Sequence, residues 1–192
     1  MLDNFSYLEN RLLCNLVIAL IPVLIAGYIF RDLVEDYLRT KQIIAYATIG
    51  FGILLFVSDR YGNKKKILSS VSLFQALIIG VFQCLALIPG TSRSGITITA
   101  GLFLGLKGSE AARFSFLLAI PTIALITVAE LINIPFSVFL NNFPRTLLAG
   151  FIAFITAYFT INIFLKLINR IGFTPFVIYR ILLGSLILIF WM

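Results

Sequence analysis

Leu87-Ile88-Pro89-Gly90-Thr91-Ser92-Arg93-Ser94-Gly95 interrupts an apolar run that begins at Val71 and resumes at Ile96. Helix breakers, hydroxyls and an arginine therefore sit where the flanks predict a membrane interior. A charge at that depth costs about 2.5–3.5 kcal/mol on insertion scales, and non-helical backbone persists there only against protein or a watery cavity. The competing reading, a polar surface loop between two short helices, is weakened by apolar flanks on both sides. The chemistry these residues can do is anion binding. Pro89 and Gly90 stop a helix, and Gly95 lets backbone approach a ligand closely. Thr91, Ser92 and Ser94 are good N-cap residues for a helix predicted to start near Ile96, whose free N–H groups and positive dipole end face the loop. Arg93 adds a planar fork that matches phosphate oxygens bidentately. Together they describe a phosphate cradle inside a membrane protein.

The rest of the composition supports that setting. The 192 residues are 60% hydrophobic and 12% charged, with a mean hydropathy of +1.06, which predicts an all-α polytopic membrane protein forming a single membrane domain over residues 1–192. The net charge of +7 does not point to nucleic acid, because the cations are spread over loops between apolar spans instead of one soluble face. Cys14 and Cys84 fall inside apolar stretches and fit no metal or redox spacing, so no disulfide is expected. The absence of histidine removes the usual general base and the commonest metal ligand.

About five transmembrane helices follow from the apolar runs. Leu12 to Phe30 is a retained span with Pro22 as a kink site, and Arg31 to Lys41 is an amphipathic connector. Ile43 to Val57 is a shorter span. Phe114 to Ile132, Thr146 to Ile168 and Phe176 to Met192 complete the set, with Asn133 to Arg145 as a loop punctuated by Pro135 and Pro144. Lys107-Gly108-Ser109-Glu110 reads as a stop and restart, Gly108 as C-cap and Ser109 as N-cap, with Glu110 and Arg113 paired. Loop charges decide how residues 71–106 cross. A single crossing splits the cations almost evenly between the two sides. A re-entrant helix-loop-helix gathers Arg11, Arg60, Lys64 to Lys66, Lys107, Arg113, Lys166 and Arg170 on the cytoplasmic side, in keeping with the positive-inside bias. Discontinuous helices of this kind put their termini at a midplane ligand site.

Phe82-Gln83-Cys84-Leu85-Ala86-Leu87-Ile88-Pro89-Gly90-Thr91-Ser92-Arg93-Ser94-Gly95, followed by Ala111-Ala112-Arg113-Phe114-Ser115-Phe116-Leu117-Leu118-Ala119-Ile120-Pro121, resembles the second signature of the bacterial undecaprenyl-diphosphatase family, also called bacitracin-resistance proteins. Ile178-Tyr179-Arg180 fits as well, and the similarity runs from about Tyr7 to the C-terminus. The resemblance implies an integral inner-membrane hydrolase that removes the terminal phosphate of undecaprenyl diphosphate, recycling carrier lipid for peptidoglycan synthesis. It further implies an inverted-repeat fold, a site opening to the periplasmic side, and a need for Mg2+ or Ca2+, with no metal ligand identifiable in this chain. Carried over, Arg93 holds the diphosphate, and Ser92, Ser94 and Thr91 donate hydrogen bonds to its oxygens. From their own position and chemistry, Gly90, Gly95, Thr97 and Gln83 are further substrate-binding candidates.

One part of the family pattern has no counterpart here. Members carry an earlier re-entrant element with two glutamates four residues apart and a Pro-x-Ser-Ser segment ending in Gly-His. The chain is therefore expected to correspond to the C-terminal two-thirds of such an enzyme, N-terminally truncated relative to the family and weakly active or inactive alone. Its expected partners are an isoprenoid diphosphate lipid, the membrane, and a separately encoded N-terminal half or a second copy. A membrane anion or lipid-phosphate transporter using the same cradle, or an inactive remnant, are the alternatives. Gln83 and Ser115 read more readily as structural, Thr97 as a better cleft candidate than Thr99, Glu130 as snorkelling, and Arg180 as snorkelling or held in a structural pair. The 19 phenylalanines suit lipid contact and can line a groove for a long isoprenoid chain.

Overall fold

The computed structural model describes residues 2–132 and 135–191. Its helices are α1 (Leu2–Ile29), α2 (Arg31–Leu33), α3 (Lys41–Tyr61), α4 (Leu73–Cys84), α5 (Arg93–Phe103), α6 (Gly108–Ile132), α7 (Phe136–Ile171) and α8 (Thr174–Trp191). Among the described residues 5 helical segments are long and apolar enough to cross a membrane: Asn10–Ile29, Lys41–Tyr61, Gly108–Ile132, Asn142–Ile171 and Thr174–Trp191. The chain is an all-α polytopic membrane protein.

The stretch that breaks the apolar run sits at the tip of a helical hairpin. Helix α4 has 12 residues and α5 has 11, so at 1.5 Å per residue neither reaches the roughly 30 Å of a hydrocarbon core. The two strokes return to a common base. Lys66 N donates to Gly105 O at 2.9 Å, and Lys107 N donates to Lys66 O at 3.0 Å. Glu110 adds a third tie, its Oε2 accepting from Leu68 N at 2.9 Å while its Oε1 lies 3.3 Å from Arg113 Nη1.

Each stroke has its own stop and start. Ser72 and Gln75 form a reciprocal capping box at the head of α4, satisfying two backbone donors that the helix itself cannot. Asn15 Nδ2 and Arg11 Nη2, both from α1, donate to Val71 O at 2.9 and 3.2 Å. Gly80 lets α1 and α4 touch, since a Cβ there would overlap the Ala19 carbonyl. Helix α5 is terminated by Gly105, two residues past its last helical residue Phe103, with φ +91. Gly105 N donates to Leu102 O and Leu106 N to Gly101 O, both at 3.0 Å, the paired bonds of a left-handed helix stop. This corrects the expected stop at Gly108, which is instead the first residue of α6, with Ser109 inside that helix. The left-handed turn must come where the last carbonyls need donors, three residues earlier.

The expected loop over 133–145 is also corrected: α7 begins at Phe136 with Pro135 at its cap and runs through Pro144, while Asn133 and Ile134 lie outside the described residues. Pro144 lies more than two turns inside α7 and costs it one interior hydrogen bond, but apolar surroundings still reward continued helix because exposed backbone finds no water there. Helices α3 and α8 cross closely at Gly52 and Gly184, where added Cβ atoms would meet Arg180 and Ile49. The core gathers Ile79, Ile98, Leu102, Leu106, Phe114 and Leu118, so the hairpin is packed against α1, α3 and α6.

Candidate functional site

At the hairpin tip Ile88 to Ser92 joins a 3-10 turn over Leu85–Leu87 to α5. Gly90 takes φ +94, and a Cβ on it would collide with the Ile44 carbonyl and lie 2.9 Å from Thr48 Oγ1. Only glycine lets the turn press this closely onto α3. Ser92 has φ 68 and ψ 110 and still caps α5, its Oγ accepting from Gly95 N at 3.2 Å. A non-glycine residue in that backbone region is strained, and such strain is found at ligand-binding turns. The helix begins at Arg93, three residues before the expected start near Ile96. Arg93 and Ser94 are thus the first two helical residues, and their N–H groups have no helical acceptor.

A cleft of about 610 Å³ opens beside this turn, lined at one end by Thr48, Gly90, Ser92, Ser94, Gly95 and Arg180. Its body is apolar, lined by Leu55 of α3, Ile98 of α5, Phe116 of α6, Ile161 and Phe164 of α7, Phe173 of the corner, and Phe176 and Leu183 of α8. The aromatic wall is self-packed. Phe164 meets Phe116 at 5.4 Å and Phe176 at 4.9 Å, both edge-on, the geometry favoured by ring quadrupoles. The corner that carries Phe173 is held by Asp59, whose Oδ2 accepts from Phe173 N at 3.3 Å and whose Oδ1 lies 2.7 Å from Lys64 Nζ.

Of the residues singled out from sequence, the structure brings Gly90, Ser92, Ser94 and Gly95 to the cleft wall. Arg93 is half-buried at the head of α5 and does not line the cleft. Thr91 is fully enclosed with no partner for its hydroxyl. Gln83 is buried in α4, away from the cleft wall, with its amide nitrogen unpartnered. Thr97 turns toward α6, where its hydroxyl meets Ser115 Oγ at 2.7 Å and donates to Arg93 O at 3.1 Å. It clamps α5 to α6 and does not line the cleft. Thr99 returns its hydroxyl to Gly95 O at 2.8 Å.

Of the two uses expected of Arg180, snorkelling or a structural pair, the structure shows the second. The side chain does not snorkel: it is 9% exposed, with Nε donating to Thr48 O at 3.2 Å and Nη2 to Gly90 O at 2.8 Å. The signal was available, since an ionisable residue within a span is a functional candidate by default. Thr48, whose Oγ1 donates to Ile44 O at 2.6 Å, carries no sequence signal of its own. For the divalent cation that the resemblance implies, the donor set does not fit. No three of His, Cys, Asp and Glu converge among the described residues, and the polar end of the cleft offers hydroxyls and carbonyls beside a guanidinium. What the arrangement can do is receive an anion at the turn and a long apolar chain along the phenylalanine wall.

Comparison with known proteins gives the family. Residues 3–186 match the family described as Bacitracin resistance protein BacA. The undecaprenyl-diphosphatase of Teredinibacter turnerae is 49% identical over 181 residues, covering 94% of this chain and 69% of that protein. Undecaprenyl-diphosphatase 1 of Pseudoalteromonas translucida is 45% identical over 182 residues, covering 95% and 68%. The undecaprenyl-diphosphatase of Marinobacter nauticus is 42% identical over 179 residues, covering 93% and 68%. A family match across nearly the whole sequence, with relatives at this level of identity, means that the chain belongs to the bacitracin resistance protein BacA family.

Proposed function

We propose that this chain acts as an undecaprenyl-diphosphatase, a membrane hydrolase that cleaves the terminal phosphoanhydride of undecaprenyl diphosphate. The observation that carries the reading is the cleft: a polar, cationic part formed by the glycine- and serine-rich turn with Arg180, and an apolar, phenylalanine-rich part suited to isoprene units. A diphosphate at the turn meets the Ser92 and Ser94 hydroxyls and the unpaired N–H groups at the head of α5, with the helix dipole and Arg93 adding positive potential. Such preorganised donors stabilise charge that grows on the phosphoryl oxygens as the anhydride P–O bond breaks and a P–O bond to water forms. The products are inorganic phosphate and undecaprenyl phosphate.

Water must also lose a proton, and the residues lining the cleft include no carboxylate or imidazole. We assign that base to a further family segment bearing the glutamate pair that the resemblance implies, contributed from outside the described cleft. The hairpin 71–106 is re-entrant in this reading. The chain resides in the bacterial inner membrane with basic residues such as Lys64 to Lys66 toward the cytoplasm, and the cleft opens to the periplasmic side.

Phosphate release from undecaprenyl diphosphate by the purified chain in lipid nanodiscs and magnesium buffer tests this, with and without an added N-terminal family segment. We expect the added segment to raise turnover and Arg93→Ala, which removes positive potential beside the cleft and no lining donor, to lower it about tenfold, or roughly 1.4 kcal/mol of transition-state stabilisation. No phosphate release with the added segment, together with unaltered lipid binding in Arg93→Ala, overturns the proposal.

A further inference from the structure

Arg180 is a buried cation without a counter-charge among the described residues. Ion pairs among the described residues join Arg31 and Arg39 to Glu35, Lys64 to Asp59 and Arg113 to Glu110, and none reaches the cleft. The two acceptors Arg180 does have, Thr48 O and Gly90 O, are neutral carbonyls. They satisfy Nε and Nη2 but do not offset a full charge, and removing a guanidinium from water is unfavourable unless a partner compensates it. Its remaining nitrogen, Nη1, lies at the cleft wall beside Gly95, where a Cβ would come within 2.9 Å of it. Gly95 thus leaves room for the guanidinium itself. The head of α5, with its positive dipole end, stands next to it. Two features of like sign in one low-dielectric cleft repel, unless an anion lies between them.

We infer that Arg180 is a second substrate-binding cation, its Nη1 contacting the lipid diphosphate while Nε and Nη2 hold the Gly90 turn against α3. The inference rests on the diphosphate reading above and adds a consequence for specificity. A diphosphate carries more charge than the corresponding monophosphate and has a second phosphoryl group to reach a second arginine. Arg180 therefore favours substrate over product.

The test compares binding of farnesyl diphosphate and farnesyl monophosphate by the wild-type chain in nanodiscs and by Arg180→Gln, Arg180→Lys and Gly95→Ala, each checked for its unfolding midpoint. Arg180→Gln is expected to weaken diphosphate binding about tenfold to a hundredfold, the worth of a hydrogen bond to a charged group. Monophosphate binding should fall much less, so the affinity ratio drops. Gly95→Ala keeps the charge but sets a methyl against both Nη1 and Ser92 Oγ, and it should lower the ratio in the same direction; Arg180→Lys, which leaves Ser92 untouched, should do so too and carries the test if Arg180→Gln does not fold. A purely structural role lowers both affinities together, and an unchanged ratio in the folded variants overturns the assignment. A wild-type chain that binds neither lipid overturns the diphosphate reading itself.

Discussion

Gly90 shows how much a single residue can carry in this protein. Its positive φ and its contact with the Ile44 carbonyl both exclude a side chain, and its own carbonyl is the acceptor for Arg180 Nη2 and, at 3.3 Å, for Thr48 Oγ1. Gly90→Ala adds left-handed strain of about 1–2 kcal/mol to an overpacking cost of about 1–3 kcal/mol. Its thermal unfolding midpoint in detergent should fall well below that of the wild type, and an unchanged midpoint would show that the turn is looser than described. The sequence marked Gly90 as a breaker but not as a contact, because the partner lies 46 positions away. The same holds for Arg180, whose neighbours come from α3 and the hairpin tip. Residue type alone permitted snorkelling, and the α3–α8 crossing at Gly52 removes that option.

At the scale of elements, the hairpin depends on both strokes ending where they do. Gly105 in its left-handed conformation turns the chain back so that Lys66 can donate to Gly105 O and accept from Lys107 N at the base. Gly105→Ala should cost about 1–2 kcal/mol through the unfavourable φ alone, read as a lower midpoint with helix content retained by circular dichroism. A midpoint equal to the wild type would mean that the base of the hairpin is held mainly by Glu110. The start and stop signals were partly legible: the breaker motif and the cap at Ser92 were found, with the helix start three residues out. Gly108 attracted the stop signal because it adjoins Ser109 and Glu110, whereas the actual stop was fixed by which carbonyls remain unpaired at the end of α5. The helix over Pro144 was hidden because proline is read as a breaker in water, where exposed backbone has an alternative partner.

For the whole molecule, orientation is the property to measure. With Cys14→Ser and Cys84→Ser as background, cysteines introduced as Lys65→Cys and Lys107→Cys should react with a membrane-impermeant maleimide from the same side, because the hairpin base joins their segments. Labelling from opposite sides would require residues 71–106 to cross once and would overturn the re-entrant reading.

Composition and apolar run lengths were sufficient to establish an all-α membrane protein with five spans, because lipid forces every backbone polar group to be paired within its own segment, so local sequence alone decides what can span. The family, too, was legible from contiguous residues between Phe82 and Pro121. The shape of the cleft was decided only in three dimensions. Thr48, Gly90, Phe164 and Arg180 meet there from four separate parts of the chain, and whether a hydroxyl faces a ligand, as the position of Ser94 on the cleft wall allows, or a neighbouring helix, as that of Thr97 does, depends on which helices pack against it. Close crossings at Gly52, Gly80 and Gly90 set that packing, and no window of sequence contains both partners of any of them.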